Sequence, residues 1–178
     1  ELESDNLEAR AQRAKLYYYQ GLFSPSQADY ALVLPQTSDP AIVGPAAEAH
    51  TFSGDYATGL ALFDRYRSAG GEIRDDRTIA YAQALRESGQ MAQALQVLQQ
   101  ELQRTPEFNT QQIRLRGALA STYAANRDFQ RALELIQPLQ GRGDSRLTLA
   151  RALDAIGDYS QQPAYLQEAA QLYLNVLA

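Results

Sequence analysis

Apolar residues recur along this chain at three- and four-residue spacing, and strand-like alternation is weak throughout. The segment from Gly117 to Gln137, GALASTYAANRDFQRALELIQ, shows the pattern at its plainest. Its apolar positions keep helical phase on both sides of Asn126-Arg127-Asp128, which reads as helix, turn, helix. Asp128 suits the cap of the second helix, because its carboxylate can accept the free N–H groups of the first turn. Followed along the chain, the periodicity predicts ten helices, near 4–20, 25–34, 40–53, 56–69, 75–88, 90–104, 110–125, 128–140, 145–156 and 162–177. Turn residues at 36–39, 70–71, 105–109 and 141–144 link them, and none reads as a domain boundary.

The helix-turn-helix arrangement recurs. Around the turns stand Gly54-Asp55-Tyr56, Gly89-Gln90-Met91, Arg127-Asp128-Phe129 and Gly157-Asp158-Tyr159, with a looser copy at Gly21-Leu22-Phe23. By residue number they lie 33, 35, 38 and about 30 residues apart. A period near 34 residues with two helices per unit marks a repeat architecture. Glycine ends the first helix by taking the left-handed conformation without a Cβ clash. Asp55, Asp128 and Asp158 then start the next helix as caps. Seven residues before the turn lie Ala14, Ala47, Ala82, Ala120 and Ala150, and five after it Ser26, Gly59, Ala94 and Ala132. Four further on come Tyr30, Phe63, Leu98 and Ile136. The small residues let paired helices approach, and the bulky ones fill the space beside them.

This series of small, large, glycine, aromatic, small and large positions resembles the tetratricopeptide repeat (TPR) family, and Pro106 falls at that family's repeat-closing proline. The resemblance covers essentially the whole chain. It implies an all-α fold, a right-handed α-solenoid of about five TPR-like repeats near 1–38, 39–72, 73–108, 109–143 and 144–178, forming a single superhelical domain over 1–178. Two departures stand out. No first helix carries the family's early tryptophan. The last repeat breaks phase, with Ser160-Gln161-Gln162-Pro163 after the turn and the small–large pair reappearing as Ala169 and Tyr173. That predicts a turn about seven residues longer, with the final helix starting near Pro163, a favoured first-turn residue. In the first repeat, Ser24-Pro25 is expected to open the second helix.

Composition narrows the function classes. Hydrophobic residues make up 45%, enough for a core, and no run approaches the roughly 18 apolar residues of a membrane span. Residues 1–20 are polar and show no signal-peptide h-region. The start at Glu1 and the apolar last helix, residues 171–178, fit a piece excised from a longer protein. The net charge of −5, from 16 basic and 21 acidic residues, makes nucleic acid an unexpected partner. Lys15 is the only lysine, which reads mainly as codon bias.

Candidate chemistry is sparse. There is no cysteine, so disulfides, thiolate metal sites and cysteine nucleophiles are excluded. His50 is the only histidine and reads as an ordinary helix residue. Gly141-Arg142-Gly143-Asp144 lacks the Lys-Ser/Thr of a phosphate loop. Its Arg142-Gly143-Asp144 tripeptide, of integrin-recognition type, reads as an inter-repeat turn. Asp75-Asp76 sit at a helix start, where they complement the helix dipole. No catalytic activity, cofactor or metal site is expected.

What the pattern leaves free is surface. Stacked helix pairs form an extended concave face. The resemblance implies that the first helix of each repeat lines that face and that a partner protein or peptide binds there. On this chain the lining positions are Lys15, Tyr18 and Tyr19, then Glu48, Thr51 and Phe52, then Gln83, Arg86 and Glu87, then Arg114 and Ser121, then Arg151 and Asp154. Three consecutive tyrosines, Tyr17, Tyr18 and Tyr19, point in three directions on a helix. Tyr17 fits the packing position, which turns the other two to the groove or under an adjoining segment. Family members that clamp a peptide carboxylate use Lys and Asn at set positions. Here those positions carry Ala11, Gly44, Ile79, Gly117 and Leu147, then Lys15, Glu48, Gln83, Ser121 and Arg151, so an acidic tail is not the expected ligand.

The expected function is a non-catalytic scaffold that binds a partner protein or peptide in its concave groove. A bacterial envelope setting, such as a periplasmic secretion or polysaccharide-export assembly, fits the missing cysteine and scarce lysine, against a cytoplasmic adaptor or chaperone. Self-association through the terminal helices is the competing structural role. Anionic polymer binding by Arg86, Arg114 and Arg151 is the third reading, which the acidic balance opposes.

Overall fold

The computed structural model describes residues 6–177, and among them every regular element is helical. The helices are α1 (Leu7–Tyr19), α2 (Phe23–Val33), α3 (Pro40–Phe52), α4 (Tyr56–Ser68), α5 (Asp75–Glu87), α6 (Met91–Arg104), α7 (Thr110–Ala125), α8 (Phe129–Ile136), α9 (Arg146–Ser160) and α10 (Pro163–Leu177). Short 3-10 turns at Leu34–Gln36, Gln137–Leu139 and Gly143–Ser145 complete them. The chain divides into two compact units, one running to Gly89 and the other starting at Gln90. In the first, α1 pairs with α2 and α3 with α4, α3 touches α1 and α2, and α5 packs on α3 and α4. In the second, α7 packs against α6, α8 and α9, and α10 packs on α9.

Side-chain caps define the helix starts. Asn6, Asp39, Asp55, Asn109 and Asp128 accept the N–H groups of Ala9, Ala41, Thr58, Gln112 and Arg131. Glycine is required at Gly54 and Gly89, where φ is +90° and +80°. Arg127 takes the same left-handed conformation at φ +61°, so the turn before α8 keeps the geometry without the glycine.

The small–large series forms the core. Ala14, Ala47, Ala82, Ala120 and Ala150 are no more than 1% exposed, and Tyr30, Phe63, Leu98 and Ile136 are equally buried. At the α3–α4 crossing, a Cβ on Gly59 would lie 2.4 Å from the Thr51 Oγ1 and 3.3 Å from the Ala47 carbonyl oxygen. The backbones are in contact there, as the small residue requires.

The last helix pair corrects the expected turn. Gly157-Asp158-Tyr159 does not form a turn, because α9 continues through it to Ser160. The chain reverses at Gln161, left-handed at φ +58°, and α10 starts at Pro163 as expected. The additional residues lengthen a helix instead of a loop, and Asp158 is an exposed helix residue, not a cap. Gly157 is a close-approach residue. A Cβ there would lie 2.7 Å from the Leu166 side chain and 3.1 Å from its backbone nitrogen. The α8 helix also stops at Ile136, short of 140, since Pro138 cannot donate the next helical hydrogen bond and the chain tightens into a 3-10 turn.

Candidate partner-binding surface

The first helices of unit 1, α1, α3 and α5, gather most of the aromatic and charged groups expected there. Tyr18 lies on α1 one turn beyond Lys15, so both share a face. Its ring stacks on Phe52 of α3, with centroids 6.3 Å apart and planes 7° from parallel. Tyr19 tilts against Tyr18 at 5.2 Å, and the Lys15 ammonium sits over the Tyr19 ring at 5.8 Å. The three rings form a continuous row. Tyr19 is 67% exposed and Phe52 41%, so the row is open to solvent at both ends.

Beneath the row lies a polar network centred on Glu48, whose side chain is 14% exposed. The Tyr18 hydroxyl donates to Glu48 Oε2 at 3.2 Å, and Arg77 Nε donates to Oε1 at 2.6 Å. Arg77 also donates to the Tyr66 hydroxyl at 2.8 Å, and that hydroxyl donates to the Glu72 carbonyl at 3.0 Å. The guanidinium lies over the Tyr66 ring at 4.8 Å. Gly44 makes this possible. A Cβ at Gly44 would lie 3.1 Å from the guanidinium carbon and 3.0 Å from the Tyr66 ring, so α3 offers Arg77 bare backbone to lie against. Burial pushes the Tyr18 phenol well above its ordinary range, and the Glu48 carboxylate adds to the shift.

Arg77, Gly44 and Tyr66 escape a sequence reading as site residues. The available signal is Gly44 itself, a glycine inside a helical pattern, which marks a close approach. Thr51 is misplaced by that reading. It is fully buried, donates to the Ala47 carbonyl at 2.9 Å and faces Gly59, so it belongs to the α3–α4 crossing and not to the open surface. Farther along α5, Gln83 is half-buried, and Arg86 pairs with the adjacent Glu87 at 2.8 Å.

In unit 2, α7 and α9 approach closely where a Cβ on Gly117 would lie 2.3 Å from Thr148 Cγ2. Arg114 is exposed and Ser121 half-buried on α7, while Arg151 and Asp154 are exposed on α9. Burial raises the Tyr173 phenol of α10, Asp154 adds to the rise, and Arg151 opposes it. Tyr173 therefore sits within the field of both predicted residues. The Arg142-Gly143-Asp144 tripeptide is closed on itself, with the guanidinium bidentate to Asp144 at 3.0 and 2.8 Å and stacked over Phe108 at 4.5 Å.

Elsewhere in unit 2 a cleft of about 320 Å³ opens between α6, α7 and α8, walled by Leu119 and Leu135 and edged by Arg131 and Glu134. The Tyr123 hydroxyl at its floor already accepts from Gln99. His50 is bound into structure, its Nδ1 3.0 Å from Oδ2 of the α4 cap Asp55. Among the described residues no cluster of His, Asp and Glu could hold a metal, and no helix is long and apolar enough to cross a membrane.

No known family profile matches the chain, and no curated protein matches it. Solved structures do, among them the following two. One is a variant of a Podosopora anserina protein with nearly identical TPR-like repeats, assigned as a kinesin light chain. It is 17% identical, with a TM-score of 0.67 over 94% of this chain and 93% of its own. The other, from the same source and of the same description, is 18% identical, with a TM-score of 0.64 over 99% of each chain.

Proposed function

We propose that the TPR-like helical repeat fold of this chain serves protein–protein interaction, as that architecture generally does. We propose that this protein is a non-catalytic scaffold whose first-helix surfaces bind a partner protein or peptide. The observation that carries this reading is the row of Tyr18, Tyr19 and Phe52. Aromatic groups clustered at the surface are enriched at protein interfaces, and tyrosine serves them by joining apolar area to a hydrogen-bonding tip. The remaining predicted positions, Gln83, Arg86, Glu87, Arg114, Ser121, Arg151 and Asp154, would extend or select that contact. As setting we propose, on sequence features alone, a bacterial envelope assembly.

Site-specific photo-crosslinking tests the reading. A photoreactive residue at Phe52 should capture a partner protein, and one at the exposed Asp64 of α4 should not. Equal capture at both positions, or capture at Asp64 alone, overturns the surface assignment. Fractionation that recovers only cytoplasmic partners overturns the envelope setting.

A further inference from the structure

We propose that α9 and α10 form a face on which a second copy of this chain docks, across a two-fold axis that runs between the two helices. The face lies on unit 2, so the proposal goes beyond the unit 1 row. Arg151, one of the predicted partner contacts, here meets the second copy.

Repeat register shows that the face is built to be covered. Three residues after each bulky position of the second helices stand Val33, Tyr66, Glu101, Leu139 and Val176. The first four are no more than 6% exposed, whereas Val176 is 45% exposed. Tyr66 shows what the position does, because α5 packs over α4 there and lays Arg77 on the Tyr66 ring. On α9, Leu147 is 42% exposed. Counted back from Gly54, Arg127 and Gly157, it shares its place with Gly44 and Gly117. Those two glycines admit Arg77 of α5 and Thr148 of α9. Leucine fills that seat, so a further first helix cannot come as close here and the side chain is left for another kind of contact.

Register also makes the face self-complementary. The antiparallel helices α9 and α10 are 15 residues each and meet where Leu166 abuts Gly157. Val176 lies ten residues beyond Leu166 and Leu147 ten before Gly157, so the two stand level on neighbouring helices. Counted the same way, Tyr173 stands level with Ala150, beside Arg151, whose charge reaches its phenol. A two-fold axis parallel to the helices therefore lays Leu147 of each copy on Val176 of the other, and Arg151 of each on the Tyr173 ring of the other. The four helices make a bundle in which neighbours are antiparallel, within a copy and between copies.

Charge favours a copy over another protein. Glu168 is the one charged residue of α10. Residues 90–178 hold eight basic and eight acidic side chains, so two copies of unit 2 meet without net repulsion. The face has no excess charge with which to select a basic or an acidic stranger. Each group it exposes finds its complement on the same face turned about.

The chain has no cysteine, so disulfide trapping reads this geometry directly. Under mild oxidation, Leu147→Cys protein mixed with Val176→Cys protein should give a linked dimer of one of each. Either variant alone should link more slowly, and Asp64→Cys on α4 should link no faster than random collision allows. Sedimentation velocity over roughly two decades of concentration should show monomer and dimer exchanging. Val176→Asp should weaken the dimer at least about tenfold, since each copy buries an unpaired carboxylate. Arg151→Ala should weaken it about 5- to 30-fold, because the symmetry loses one ring–cation contact twice. Far-UV circular dichroism checks that these exposed-residue variants keep their helices. A chain that stays monomeric at every concentration overturns the proposal, and so does a dimer indifferent to Val176→Asp. Faster linking within the Leu147→Cys or Val176→Cys protein alone overturns the two-fold pairing. A photoreactive residue at Val176 that captures a different protein from a monomeric chain assigns the face to that protein and overturns the second copy. Capture at Phe52 tests the unit 1 surface separately and is unaffected by each of these results.

Discussion

Replacing Gly59 by alanine sets two effects of opposite sign against each other. Gly59 lies inside α4, and alanine is the better helix former by about 1 kcal/mol, so on helix propensity alone Gly59→Ala should stabilise. The new methyl group, however, would start 2.4 Å from Thr51 Oγ1, 3.2 Å from the Thr51 nitrogen and 3.3 Å from the Ala47 carbonyl oxygen. Thr51 is fully buried and its hydroxyl is committed to the Ala47 carbonyl, so it cannot swing away without breaking a hydrogen bond worth roughly 1 kcal/mol. Overpacking of this kind costs about 1–3 kcal/mol, and the severity of the contact puts the cost in the upper half of that range. The net expectation is a loss of about 1–2 kcal/mol, which lowers Tm by roughly 2–8 °C for a chain of this size. In a Thr51→Ala background only the two backbone contacts above 3 Å remain. The same glycine substitution should there become neutral or stabilising, giving a coupling energy of at least about 1 kcal/mol in the double-mutant cycle. Urea unfolding followed by far-UV circular dichroism measures all four proteins. A stabilising Gly59→Ala, or an equal loss in both backgrounds, would refute the close crossing of α3 and α4.

Arg77→Ala leaves Glu48 largely buried without its cation and should cost about 1–3 kcal/mol, with Arg77→Lys recovering only part because an ammonium cannot lie flat against Gly44; urea titration reads both. Tyr30→Phe removes a buried hydroxyl that has no hydrogen-bond partner, at the position that repeat two fills with Phe63, so stability should hold or rise by about 1 kcal/mol; a loss of that size would mean the hydroxyl is satisfied. Hydrogen bonds from Arg13 hold the Asp29 carboxyl below its ordinary range against the opposing effect of burial, so Asp29 stabilises the fold above its unfolded pKa of about 3.9, and that contribution is lost as pH falls through the lower folded value. Thermal melts from pH 6 down to pH 2 should show this acid-side slope flattened in Asp29→Asn.

The fold was legible because its signal is redundant. Ala14, Ala47, Ala82, Ala120 and Ala150 repeat one packing requirement, so a loose copy is corrected by its neighbours. The misreading of Gly157 shows the limit. A glycine that ends a helix and a glycine that admits a neighbouring helix are the same residue in sequence, and only the Leu166 contact separates them. Thr51 failed for a related reason. One helical step separates the open face from the crossing, and a hydroxyl that bonds to its own helix carries no sequence mark. The row of Tyr18, Tyr19 and Phe52 was legible because aromatics at groove register are conspicuous. Arg77 was not, because its place depends on α3, α4 and α5 at once.

The seat that Gly44 gives to Arg77 has a geometric consequence. Where two helices normally keep their distance through interlocking side chains, at Gly44 a flat guanidinium from α5 rests against the bare backbone of α3 beside the Tyr66 ring. The guanidinium works as a shim. Its thickness sets the local gap between α3 and α5 at this point of unit 1. A change of shape at Arg77 would thereby be felt as a change of spacing between two helices, not only as a lost ion pair.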